Sequence, residues 1–280
     1  TAMVDPGVAN DERVFLTDQV MASATSLLDV DDVVDRDEGS SSKKHTVNAT
    51  VTVGDVQFTF PFEVQESKPT LGIIKNWTIQ NALVVPIAVR IKNVSTFSIG
   101  GVTAPVSDDN YFPYTSPTYM LYPGVYTVSA ADPGDYIEAD PVIFKAARDE
   151  YKYGADPLRY VTVDTSYSDS LRAAAVEAMA EQTTSCATPP GNLDTVCPFG
   201  LQRTDLTVLE VKQMPTEAKE WADSTSEFHD YAFFKVQQGA GTPIYTLKST
   251  VYATLKFDEN GKIVVDSAGK PQFWLRYEVE

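Results

Sequence analysis

Two short blocks of alternating side chains constrain this chain more than anything else in it. Thr46-Val-Asn-Ala-Thr-Val-Thr-Val53 and Thr250-Val-Tyr-Ala-Thr-Leu-Lys-Phe257 are identical at four of eight positions and alternate in phase. A side-chain period of two belongs to a strand with one face buried, so both blocks predict strands of an antiparallel sheet. Each is preceded by a helical stretch and followed by a tryptophan in a closing strand, Trp77-Thr-Ile79 and Trp274-Leu-Arg276. The shared order reads as an internal repeat.

Ahead of the first block, residues 11–28 predict an amphipathic helix with Val14, Met21, Ala24 and Leu28 on one face. The acidic run from Asp29 to Glu38 and the stretch Gly39 to Lys44 predict a solvated linker, since residues 1–40 hold ten acids and two bases. A calcium loop fails here. Asp35-x-Asp37-x-Gly39 puts glycine at the fifth position and Thr46 where a bidentate Glu belongs. Val47, Ala49, Val51 and Val53 share one strand face, Gly54-Asp55 marks a turn, and Phe58, Phe60 and Phe62 alternate after it. Pro61 points to a sheet edge or a strand end.

Residues 82–145 hold short candidate strands, Leu83–Val89, Thr96–Ile99, Tyr119–Leu121 and Val125–Ser129, separated by turn formers. That spacing predicts a small β-sandwich. Tyr111-Phe-Pro-Tyr114 is either a covered loop on it or a binding surface. A mixed-charge linker over 145–158 leads to a strand at Tyr160–Val163. Ser168 to Thr183 predicts the clearest helix, opened by a capping box at Ser166-Tyr-Ser-Asp169 and striped by Leu171, Ala175 and Met179. The strands Asp205–Lys212, Tyr231–Gln237, Pro243–Lys256, Lys262–Val265 and Gln272–Val279 follow, with a hairpin turn at Asp258-Glu-Asn-Gly261.

The only cysteines, Cys186 and Cys197, flank ten turn-rich residues. Closing a loop of that length would stabilise the fold by about 3 kcal/mol on the chain-entropy view. Two buried thiols, or a metal or catalytic thiol, are the alternatives. Zinc wants about four N/S ligands, and the two histidines, His45 and His229, lie far away in sequence. A disulfide would point to an exported protein. Lys+Arg 22 against Asp+Glu 39 gives a net charge of −17, which repels phosphate backbones and anionic headgroups. Nucleic acid is therefore not expected as a partner. The apolar stretch Ala82–Val89 is far short of the ~20 residues that span a bilayer. Thr1-Ala-Met3 reads as a cut from a longer chain, so any membrane link is expected through a missing upstream anchor. Sequons at Asn48, Asn76 and Asn93 would matter only in a eukaryotic secretory pathway.

The order of helix, long strands and closing Trp strand resembles the cystatin-like or nuclear-transport-factor-like cone, in which a curved antiparallel sheet wraps a helix. Gly269-Lys-Pro-Gln-Phe-Trp-Leu-Arg-Tyr277 is similar to its last strand. The 168–183 helix with Cys186, Cys197-Pro-Phe-Gly200 and the long strands after it is similar to actinobacterial cell-envelope proteins of unknown function. More distantly it resembles the teicoplanin-resistance-associated membrane proteins of Gram-positive bacteria. Residues 82–145, with Tyr122-Pro-Gly-Val-Tyr-Thr-Val128, resemble small surface β-modules. The resemblance covers about 40–280. It implies an extracellular, membrane-tethered, non-enzymatic protein whose first unit is a partial cone.

The residues point to no catalytic constellation. His229 is expected at a surface or hairpin position and His45 to be incidental, and no Gly-x-Ser-x-Gly, phosphate loop or His-Glu-x-x-His pattern occurs. No cofactor and no metal are expected. Tyr231, Phe233, Tyr245, Tyr252 and Trp274 either fill the concave side of a cone as core or line an apolar pocket there. The fold expected is α+β and β-rich. It has an N-terminal helix and acidic linker (1–44), strands of a partial cystatin-like unit (45–81) and a β-sandwich (82–145). A linker (146–165) then leads to a cystatin-like domain with a disulfide (166–280). The function expected is a non-catalytic extracellular binding or scaffolding region with a protein, peptide or cationic partner. The competing readings are a small apolar ligand-binding or enzymatic cone, and a secreted adhesin fragment using Tyr111 to Tyr114.

Overall fold

In a computed structural model, which describes residues 5, 7–37, 39, 41–70, 74–106, 117–147, 158–220, 226–259 and 261–279, the first alternating block lies in a four-stranded antiparallel sheet. Its strands are β1 (Asp29–Asp35), β2 (Lys44–Val53), β3 (Val56–Thr70) and β4 (Ile74–Ile79), in the spatial order β1-β2-β3-β4. Strand makes up 50% and helix 12% of the structure, so the class is β-rich α+β. The chain divides into two compact units, Thr1–Pro133 with Ala139–Thr165, and Gly134–Glu138 with Ser166–Glu280. Tyr111 to Tyr114 lies outside the described residues.

In the first unit, Ala49, Val51 and Val53 of β2 and Phe58 and Phe60 of β3 bury one sheet face against Leu83, Val125 and Ala147. Gly54 makes the turn between the two strands at φ 62°, and a Cβ there would sit 3.0 Å from Val125 Cγ2. Pro61 stands where β3 has no strand on one side, because β4 pairs only from Val64 onward. The side chain of Asn81 fills in. Its Oδ1 accepts from the Glu63 amide at 2.8 Å and its Nδ2 donates to the Pro61 carbonyl at 3.1 Å.

Two expectations for the N-terminal region are corrected. The acidic run is not a linker: Asp29–Asp35 is a strand in register with β2, bulged at Asp31, with every side chain exposed. Val30, Val33 and Val34 favour extended backbone, and pairing with β2 outweighs the repulsion among the aspartates. Residues 11–28 form no long helix either. A 3-10 turn (Asp11–Arg13), a five-residue helix (Asp18–Ala22) and a short strand (Ser26–Leu27) replace it. Thr17 caps the helix by accepting from the Val20 amide, and Ser23 ends it by bonding the Val20 carbonyl. Phe15 and Val20, rather than the expected stripe, are the buried residues.

His45 is not incidental. Its ring bonds Asp35 Oδ2 at 2.8 Å and the Ser42 carbonyl at 3.0 Å, and packs tilted against the Trp77 ring with centroids 4.7 Å apart. It ties β1 to β2 beside β4.

Residues 82–145 contribute to further sheets that draw strands from outside that range. Ser26–Leu27 and Val142–Ala146 both pair with Gly124–Ala130, which continues to Thr96–Ile99 and Val102–Pro105. Val85–Ile91 pairs antiparallel with Tyr119–Leu121 and parallel with Arg159–Val163. Phe15, Phe97 and Tyr119 form an aromatic triad with centroids 5.2 to 5.5 Å apart.

In the second unit the helix α1 (Asp169–Cys186) forms where the apolar spacing places it, with Leu171, Ala175 and Met179 buried. Ser168, rather than Ser166, is its cap, accepting from the Leu171 amide. The sheet has β5 (Leu206–Gln213), β7 (Glu227–Gln238), β8 (Tyr245–Leu255) and β9 (Phe273–Val279) in that order, with β6 (Lys219–Glu220) also on β7, all antiparallel. Residues 262–265, expected as a strand, make only isolated bridges, Phe257 to Ile263 and Val265 to Pro271. Cys186 and Cys197 form a disulfide. Both are buried with Leu201, Leu206, Leu209, Ala232, Phe234 and Val236, so the crosslink fastens the end of α1 to the sheet core. Gly191 lets the crosslinked loop lie against the 201–203 backbone, where a Cβ would fall 2.1 Å from the Arg203 carbonyl oxygen.

The first repeat block keeps its buried alternation, whereas Thr250 to Ala253 of the second are all buried, and the two blocks differ in their neighbours. Trp274 is on the strand beside its block, whereas Trp77 is two strands from its own, because the long β3 intervenes.

Replacing Phe234 by Ala should cost about 3–5 kcal/mol, read from urea unfolding; a cost under about 1 kcal/mol would show that α1 and the sheet do not close on it. His45 provides a pH test. Its hydrogen bond to Asp35 raises its pKa. Its stabilising effect is therefore complete below its unfolded value, about 6.5, and is lost as pH rises through the higher folded value. The melting-temperature advantage of the wild type over His45→Gln should shrink as pH rises above about 6.5. A constant difference would contradict the pair.

Candidate binding face

The register across β7, β8 and β9 decides which side chains share a face. His229, Tyr231, Phe233 and Lys235 lie opposite Tyr252, Thr250, Lys248 and Thr246. Thr254, Tyr252 and Thr250 in turn lie opposite Trp274, Arg276 and Glu278. Cross-strand partners point to the same side, so these residues share the sheet face turned away from α1, with His229, Thr250 and Tyr252 buried in it. Phe228, Ala232, Phe234, Val251, Ala253 and Leu255 take the other.

The outward surface is a lattice of rings, cations and carboxylates. Lys248 Nζ stands 3.9 Å from the Tyr231 ring centroid and Lys219 Nζ 5.7 Å from it. The Arg276 guanidinium lies 3.7 Å over Tyr252, and Lys256 Nζ 4.1 Å over Trp274. Such stacks contribute about 0.5–1 kcal/mol each at exposed sites. Arg276 also donates to both oxygens of Glu227, at 3.0 and 3.2 Å, and Thr254 donates to Glu227 at 3.0 Å. Lys235 pairs with Glu210 at 3.2 Å. The Tyr252 hydroxyl donates to Glu278. Burial, followed by that carboxylate, pushes the Tyr252 pKa up to about 12, so at neutral pH the hydroxyl is a donor and not a base.

By the same register one buried carboxylate, Asp230 opposite Val251, belongs to the helix-facing side. Asp230 is 6% exposed. Its Oδ2 accepts from the amides of Thr216 and Glu217 at 2.8 and 3.0 Å, and its Oδ1 accepts from Lys219 at 3.3 Å. Burial favours the neutral acid. The amides of Thr216, Glu217 and Tyr231 together with Lys219 outweigh it and hold the pKa below the usual carboxylate range.

The register brings together four of the five expected pocket residues, though not on the side wrapped around the helix. Tyr231, Phe233, Tyr252 and Trp274 face away from α1, and Trp274 is 67% exposed. Tyr252 is buried beneath Arg276. Tyr245 begins β8 in an exposed position, where its hydroxyl accepts from Gln238 at 3.0 Å. His229 is not a surface residue. It is buried within β7 between Lys219 of β6 and Tyr252 of β8, its ring 6.0 Å from that of Tyr252.

The sequence reading missed Lys248, Lys256, Arg276, Glu227 and Glu278. The available signal was parity: they occupy the same alternate positions as the aromatics, while the odd-numbered residues 247–255 of β8 are the more apolar set. Among the described residues no group of three or more His, Cys, Asp or Glu is placed to hold a metal ion. No protein-family model, curated protein or solved structure matches this chain.

Asp230→Asn should cost about 1–3 kcal/mol near neutral pH, because a neutral amide cannot replace the ionised acceptor. The contribution of a carboxylate with a depressed folded pKa is present above its unfolded value and lost as pH falls through the folded one. Urea unfolding should therefore show the wild type and Asp230→Asn converging as pH falls below about 4. A gap independent of pH would contradict this assignment.

Proposed function

We propose that this chain is a non-catalytic binding and scaffolding region of a membrane-tethered protein of a Gram-positive cell envelope, held outside the cell. In this reading the second unit is a cystatin-like cone and residues 82–145 form most of a β-sandwich. The observation that carries the proposal is the filling of the helix-facing side. Leu171, Met179, Ala232, Phe234 and Val251 are each 0% exposed, so side chains take the space where a cone would hold a small apolar ligand. Polar and aromatic groups suited to recognition lie on the opposite side.

The disulfide supports an oxidising setting. No helix among the described residues is long and apolar enough to cross a membrane, and the proposal assigns the tether to a longer protein. A net charge of −17 favours a cationic protein or peptide partner over anionic wall polymers.

Ala232→Leu separates this reading from a ligand-binding or enzymatic cone. Added methylenes in a filled interior should cost about 1–3 kcal/mol, measured by urea unfolding. A neutral or stabilising result would mean an open chamber beside Ala232 and would favour the ligand reading.

A further inference from the structure

Strand β1 borders the first sheet, and among the described strands it pairs only with β2. The Arg36 amide donates to the Thr46 carbonyl at 3.0 Å, which sets the phase of the ladder. With Val34 opposite Asn48 and Asp35 opposite Val47, Val34 turns its peptide groups toward β2, and Val33 and Asp35 turn theirs outward. A row of backbone donors and acceptors is thus left at an open margin, which is a template for one more strand.

The two faces of that margin differ chemically. Val30 and Val33 lie in register with Val51 and Ala49 on the core face, yet they are 59% and 57% exposed. They continue the buried surface past the point where the protein covers it. Asp29 and Asp32 lie opposite Thr52 and Thr50 on the polar face. Asp31 accepts from Thr52 and Gln57, and Asp35 is held by His45. Asp29 and Asp32 make no such bond among the described residues.

We propose that β1 receives an extended partner segment as a fifth strand, in which lysine or arginine alternates with apolar residues. The basic side chains meet Asp29 and Asp32, the apolar ones cover Val30 and Val33, and the backbone pairs with the outward groups of Val33 and Asp35. A second copy of β1 would set aspartate against aspartate, an unfavourable cross-strand pairing. The overall charge of −17 steers cationic segments toward the protein. This inference rests on reading the chain as a binding region and names a partner class for it.

The test is titration of the whole chain with a seven-residue peptide of alternating lysine and valine, the length of β1, followed by calorimetry at low and physiological salt. Saturable binding that weakens with salt is expected. Val33→Pro removes an outward amide at an edge position that tolerates proline and should weaken binding roughly tenfold, the scale of one lost backbone hydrogen bond. Asp29→Asn with Asp32→Asn, which leaves the backbone intact, should weaken it by about fivefold and flatten the salt dependence. The proposal is overturned if the peptide does not bind, or if it binds both variants as tightly as the wild type. It is also overturned if sedimentation shows that the chain dimerises through this margin and that Val33→Pro abolishes the dimer. Such failures leave the Ala232→Leu result unchanged, so they are distinguishable from failure of the binding-region reading.

Discussion

A strand can turn only alternate side chains to one neighbour, and in the second unit this restriction decides where each group goes. Phe228, Ala232 and Phe234 in β7, with Val251, Ala253 and Leu255 in β8, are drawn to α1 by burial of apolar surface. The residues between them must then face away. Tyr231, Lys248, Tyr252, Arg276 and Trp274 stand together because the helix-facing positions are taken by the core. The candidate face is a consequence of the packing on the other side of the same strands.

The disulfide acts on that packing at a particular place. Cys186 is the last residue of α1, and Cys197 lies in the core group with Leu201, Leu206 and Phe234. The crosslink therefore holds the end of the helix against the entry to β5. The rest of the unit depends on apolar contact and on the buried Asp230 carboxylate, which satisfies two amides where β5 gives way to β6. In the first unit His45 and Asn81 do comparable local work, each joining a strand to what lies beside it through side-chain hydrogen bonds.

What could be read from the residues was whatever a single period determines. The stripe Leu171, Ala175, Met179 gave the helix, and Val47 to Val53 and Phe58 to Phe60 gave a buried sheet face. Two misreadings have physical causes. The charge of Asp29–Asp35 points to a solvated linker, but aspartates on an exposed margin cost little while three valines favour the strand. Residues 11–28 satisfied a helical spacing at Val14, Met21, Ala24 and Leu28, yet burial of Phe15 and Val20 and the hydroxyls of Thr17 and Ser23 cut the helix short. The cation–ring lattice needed the pairing of β7 with β8 and β9, which no local pattern contains. Aromatics at 231, 252 and 274 were visible, but their side of the sheet followed only from the register.

The central claim is that α1 and its sheet close on each other without a chamber between them. Met179 reports on that space, being wholly buried in the helix stripe that faces the sheet. Methionine oxidation by dilute peroxide, followed residue by residue with mass spectrometry, follows solvent access to the thioether. The account predicts that Met179 stays unoxidised in the folded protein and reacts at the rate of a free methionine once urea unfolds it. Oxidation of Met179 at that same fast rate in the folded state would contradict the account.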